Sequence, residues 1–184
     1  PGNWQNSVAP DFDDETPFIV FAGGTSAVLN RDIAVSGITF DGVTAFDLSA
    51  SGNYVLSLGE GGISNAPTAS ARTVTVSASV MPKVDQIWQM ETNTTFTLSG
   101  ILKQYGTSTP TLTFRQGSYA DPTITFIGAA TAEDAGDFAG DIVFEETALP
   151  DDKFGTAYVR ASGYETFGPG GTLKIKSRGA NHVS

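Results

Sequence analysis

The feature that most constrains this chain is a recurring triplet in which two apolar residues flank one that is usually small or polar. It reads Ile38-Thr39-Phe40, Val74-Thr75-Val76, Phe96-Thr97-Leu98, Leu112-Thr113-Phe114, Ile124-Thr125-Phe126, Ile142-Val143-Phe144 and Leu173-Lys174-Ile175. In extended backbone successive side chains point to opposite faces, so the outer pair of each triplet shares one face and the middle residue takes the other. β-Branched Thr at the centre suits the solvent face of a strand. Turn signals follow the triplets, among them Asp41-Gly42, Ser99-Gly100 and Gln116-Gly117, where glycine accepts the positive φ of a tight turn. The pattern predicts strand, turn, strand, repeated along the chain.

Other segments fill the gaps. Phe18 to Ala22 is a continuous apolar run, which predicts a strand buried on both faces. Residues 27–29, 54–58, 87–90 and 157–160 are further strand candidates. No window has helical periodicity, although Thr131 to Asp137 fits one short turn with Thr131 as its cap. Loops are expected at Asn65–Ala71, Tyr105–Pro110, Ala148–Lys153 and Tyr164–Gly171.

The triplets begin at 38, 74, 96, 112, 124, 142 and 173, so no fixed period survives and a strict short-repeat solenoid is excluded. Two all-β architectures remain: an irregular parallel solenoid with rungs of different length, and an antiparallel β-sandwich or jelly roll. Two-residue Asn-Gly or Gly-Asn hairpin turns are few, and the longer irregular loops favour the solenoid.

Composition narrows the function classes. Charged residues are 16% of the chain, below the roughly one quarter typical of soluble domains. The net charge of −10 disfavours nucleic acid and anionic membrane as partners. Cysteine is absent and His182 is the only histidine, which removes disulfides, thiol chemistry and His-based triads or metal clusters. No stretch approaches the length of a transmembrane helix, so no membrane insertion of this segment is expected. Residues 1–184 fit a single β domain, or a slice of a longer repetitive protein. The opening Pro1-Gly2-Asn3-Trp4 reads as a processed or excised segment.

Several segments, taken in order, resemble the autotransporter-associated β-strand repeat family. Trp4, Ala9-Pro10-Asp11, Asp14 and Ile19-Val20-Phe21-Ala22 are similar to its opening. Ile33 to Gly42 resembles its "tVgsItFdG" strand, and Tyr54 to Gly59 with Gly61-Gly62-Ile63 resembles the step that follows. Gln86-Ile87-Trp88 and Thr95 to Ile101 continue the series. The match is best over residues 1–102 and looser over 103–184, where Phe138 to Ile142 and Gly170 to Ile175 carry it. The resemblance implies an irregular right-handed parallel β-helix on the surface of a bacterium.

Candidate sites are few. Asp11, Asp13, Asp14 and Glu15 form the densest acidic cluster, and alternate carboxylates suit calcium, a hard cation that takes several oxygen ligands. The bland reading is a solvated turn, and no cofactor is otherwise implied. Glu133, Asp134, Asp137 and Asp141, with Glu145 and Glu146, form a second acidic stretch that reads as an exposed loop rather than a catalytic pair. Trp88 and Tyr158 are the candidates for stacking on a sugar, against an ordinary place in the core or at its rim. No constellation points to an enzyme. The expected function is an extracellular structural or display solenoid, self-associating through open solenoid ends or edge strands into filaments or a surface layer. The alternative is an adhesin or carbohydrate-binding module for a cell-surface glycan.

Overall fold

The computed structural model describes residues 11–13, 17–67, 70–91, 93–116, 123–127, 138–145, 158–162 and 173–176. All the regular structure in them is β. In chain order the strands are β1 (Phe18–Phe21), β2 (Ser26–Leu29), β3 (Ile33–Phe40), β4 (Ala45–Ala50), β5 (Val55–Asn65), β6 (Arg72–Val76) and β7 (Ser79–Pro82). They continue with β8 (Gln86–Met90), β9 (Thr94–Leu98), β10 (Leu112–Gln116), β11 (Thr123–Ile127), β12 (Ile142–Glu145), β13 (Tyr158–Ser162) and β14 (Leu173–Lys176). Every triplet lies within one of these strands.

The strands stack into two principal sheets. One runs β1-β3-β5-β8-β10-β12-β14, and the other β13-β11-β9-β6-β4-β2. Every strand pairing is parallel. The chain therefore winds from one sheet to the other and back, one coil at a time, as a β-solenoid. This overturns the antiparallel sandwich, whose hairpins would pair neighbours in sequence. Parallel partners need a long crossover, and here the return path through the other sheet supplies it.

A third, shorter stack completes the coil. β3 and β5 each run through a corner, where the stretch from Val35 to Gly37 on β3 lies against the longer stretch from Leu58 to Gly62 on β5. Before that corner β5 pairs with β7, and after it with β8. Two separate strands thus continue what β5 does as one, and a parallel bridge from Val80 to Leu102 carries the short stack one coil further.

The register explains why the triplets have no fixed period. Those at 74, 96 and 124 belong to one sheet, and those at 38, 112, 142 and 173 to the other. Two coils of the longer sheet carry Ile63-Ser64-Asn65 and Trp88-Gln89-Met90 at the aligned positions, where Asn65 or the large Trp88 and Gln89 hide the pattern. Coils also lengthen along the chain: Phe18 stacks on Gly37 near one end, whereas Ile142 stacks on the more distant Leu173 at the other.

The outer residues of the triplets point inward as expected. Ile38, Ile63, Trp88, Phe114 and Phe144 form one column down the interior, each buried. Val74 and Phe96 pair in a column of the opposite sheet, and Val76 and Leu98 in the next. Trp88 meets Phe114 and Phe96 edge-on at 5.1 and 5.7 Å, and Phe114 stacks on Phe144 at 5.2 Å. Phe21, Phe40 and Phe46 make a second aromatic group near the first coils, with ring centroids 4.6–5.4 Å apart. These are the offset and edge-on arrangements that ring quadrupoles favour.

Two expectations are corrected. The apolar run at Phe18 is not buried on both faces: Ile19 is inside, but Phe18 and Val20 are 50% and 55% exposed. A solenoid has one interior, so each strand has only one face to bury. The central Thr residues are half-buried rather than fully exposed, as at Thr39, Thr75, Thr97 and Thr113. Rungs stack only about 4.8 Å apart, so each side chain shields its neighbours. Gly42 has φ +64°, the turn conformation expected after β3, whereas Gly100 does not take positive φ and is a glycine because its backbone lies against the Ala78 carbonyl; Gly117 lies outside the described residues. The short turn at 131–137 and the loops at 148–153 and 164–171 lie outside the described residues.

Candidate functional site

The outer face of the longer sheet carries a trough of about 800 Å³. Its floor is built from two columns that run along the solenoid axis. In the first, Thr39, Ser64, Gln89 and Arg115 succeed one another rung by rung, and Glu145 follows Arg115 on the next rung beyond the trough. In the second, Ile87 and Thr113 do so, with Gly61 at the end nearest the first coils. Strand alternation forces both columns outward once Ile38, Ile63, Trp88 and Phe114 point in. Ala66 and Pro67 wall one side, while Glu60, Asp85 and Thr111 wall the other.

Gly61 lines the trough beside Gly62. Gly62 has φ +56°, and a Cβ there would come within 2.4 Å of the Ile87 carbonyl oxygen, so no other residue fits. The Phe18 ring packs beside Gly37 and Gly61, where a Cβ would stand 2.8 or 3.0 Å from it. Ile87, 39% exposed, is the apolar element in the middle of the floor.

Polar side chains in and under the trough are held by named partners. The Thr39 and Ser64 hydroxyls share a hydrogen bond of 2.7 Å. Gln89 Nε2 donates to Glu91 Oε1 at 2.6 Å. The Arg115 guanidinium donates twice to Glu145 Oε2, at 3.0 and 2.8 Å, so its charge is locally balanced. Asp85 accepts from the Thr111 amide at 2.7 Å and fixes the turn that leads into β10.

A buried polar layer sets the walls. The Gln86 side-chain amide donates to the Leu58 and Gly59 carbonyls and accepts from the Trp88 indole at 2.8 Å. Asn65 donates to Thr94 Oγ1 at 2.9 Å and accepts from the Glu91 amide at 3.0 Å. Arg72 reaches inward to the carbonyls of Phe40, Val43 and Ala66, each at 2.9 Å. It thereby ties the root of the 66–67 wall to the preceding coil. Burial lowers the Arg72 pKa from its ordinary value, opposed by the nearby charge of Asp41.

The residues singled out from sequence fall elsewhere. Trp88 is 0% exposed and spends its indole N–H on Gln86, so it cannot stack on a sugar. It is a wide apolar ring at an inward position, and the core takes it. Tyr158 belongs to β13 of the other sheet, where it pairs with Thr123, so the fold does not bring the two together. In the acidic cluster, the Asp13 amide donates to Asp11 Oδ1 at 3.0 Å, and Asp13 forms an exposed ion pair with Arg31 at 3.3 Å. Asp14 and Glu15 lie outside the described residues. Among the described residues no three carboxylate or histidine groups converge as a cation site. Of the second acidic stretch, Glu145 is paired with Arg115 and the Asp141 carbonyl accepts from the Leu112 amide. Glu133, Asp134, Asp137 and Glu146 lie outside the described residues.

The trough residues were not legible as a set. Ser64, Gln89 and Arg115 are each separated by a full coil of chain, and no local pattern links them. Counting outward positions in the aligned coils would have found them, but the alignment comes from the fold.

No protein-family model matches the chain. Neither does any curated protein or any solved structure.

Proposed function

We propose that this chain is a non-catalytic structural and display solenoid of the cell exterior, able to self-associate end to end. The observation that carries this reading is the uninterrupted interior column Ile38, Ile63, Trp88, Phe114, Phe144, which joins successive coils into one rod. Each added coil lengthens such a rod by about 4.8 Å without changing its cross-section, which suits spacing and display. The resemblance of residues 1–102 to autotransporter-associated strand repeats supports a bacterial surface setting. Stacked coils are also the geometry in which copies extend one another through strand edges. Sedimentation and electron microscopy of the purified chain test the assembly. Particles that lengthen with concentration at constant width are expected, and monomers alone at every concentration would remove self-assembly from the proposal.

A second reading, an adhesin or carbohydrate-binding module, is favoured by the trough. It is concave, carried on a sheet, and combines apolar surface with several polar side chains, which are the properties of a preformed ligand site. A glycan array with the purified chain tests it, with hits expected and a blank array counting against it.

A further inference from the structure

We infer that the trough takes an extended, uncharged polysaccharide lying parallel to the solenoid axis; this rests on the carbohydrate-binding reading above. Three features of the site lead there. First, direction: the floor columns cross the strands, from Thr39 through Ser64 and Gln89 to Arg115, over three rungs or about 14 Å. A ligand in it runs across the strands, and the sheet's backbone groups are already engaged with each other. It is recognised by side chains alone, one new set at each rung. That suits a polymer of repeated units and excludes a peptide added as a strand.

Second, chemistry. The floor presents hydroxyls at Thr39, Ser64 and Thr113 and an amide at Gln89, groups that exchange hydrogen bonds with sugar hydroxyls in either sense. Ile87, 39% exposed at the centre, gives the carbon faces of a sugar chain apolar surface to cover. Third, charge. Arg115 is neutralised by Glu145, and the carboxylates of Glu60 and Asp85 line one wall. A uronic-acid polymer or nucleic acid would bring its charges against these carboxylates, while a neutral chain meets no such penalty.

Affinity electrophoresis of the full chain tests this, with gels containing a soluble neutral β-glucan, a polyuronate or a glucosamine polymer. Retardation by the neutral polymer is expected, and it should persist at high salt because no ion pairing contributes. Ile87→Lys should weaken that binding by about tenfold or more, and Thr113→Arg should do the same. Thr75→Arg, on the other sheet, should leave it unchanged. Circular dichroism confirms that each variant is folded, and the two trough variants serve as replicates should one unfold. Retardation by the polyuronate or the glucosamine polymer alone would overturn the assignment to neutral chains while keeping a carbohydrate site. No retardation by any polymer would overturn both. Neutral binding that survives both trough variants would overturn the location.

Discussion

At the scale of single residues, the interior polar contacts decide most. Among the described residues Trp88 is the largest fully buried side chain, and its ring meets Phe96 across the interior and Phe114 on the next coil of its own sheet. Trp88→Ala leaves a cavity and is expected to cost about 3–5 kcal/mol. Trp88→Phe keeps much of the volume but leaves the Gln86 side-chain oxygen without its indole donor, a loss of about 1–3 kcal/mol. Urea titration of both variants checks the order, and a phenylalanine variant as unstable as the alanine one would show that packing contributes little. Arg72 works differently. Its guanidinium answers three carbonyls at the junction of two coils, so Arg72→Met, apolar and of similar length, should destabilise by about 3 kcal/mol. It should also loosen the 66–67 wall, seen as faster amide exchange at Ala66, whose N–H bonds the Phe40 carbonyl.

At the scale of elements, stacked strands make each outward residue answer to the rung above and below. Asp47 stands opposite Thr75, which in turn stands opposite Thr97. Like charges directly opposite are unfavourable and opposite charges favourable, by about 0.2–1 kcal/mol. Thr75→Lys should therefore be more stable than Thr75→Asp, and removing the charge with Asp47→Asn should erase the difference. Thermal melts of these variants measure it. The corner where β5 passes from the short stack to the long sheet is less forgiving. Gly62 turns there with positive φ against the Ile87 carbonyl, so Gly62→Ala should disturb the β5–β8 register and not merely cost backbone strain.

At the scale of the whole molecule, contacts run between adjacent coils, and stability is a sum over neighbours. Ser64 and Gln89 are partners on successive coils. Removing residues 64–88 joins Ile63 to Gln89 in phase, brings β9 onto β4 and leaves every strand on its own sheet. The shortened chain should fold with one cooperative transition at a lower melting temperature. Removing half that length would carry the following strands onto the wrong sheet, and no cooperative transition is expected. Calorimetry of the two deletions separates these outcomes.

What the sequence determined by itself was local. Alternation placed Ile38, Phe40, Val74, Val76, Phe96 and Leu98 inside, because period two is a property of extended backbone and holds whatever the partner. The glycine at 42 marked its turn for the same reason: its φ preference needs no tertiary contact. Sequence could not decide that Phe18 and Val20 face outward, since an apolar run fits one buried face or two equally well. It could not bring Ser64, Gln89 and Arg115 into one trough either. Those residues become neighbours only because the coils between them close in register. Coil length is set by the corners and loops, which carry no pairing signal of their own. Strand direction, the assignment of triplets to two sheets and the burial of Trp88 beneath the trough all follow from that closure, so the tertiary structure decided them.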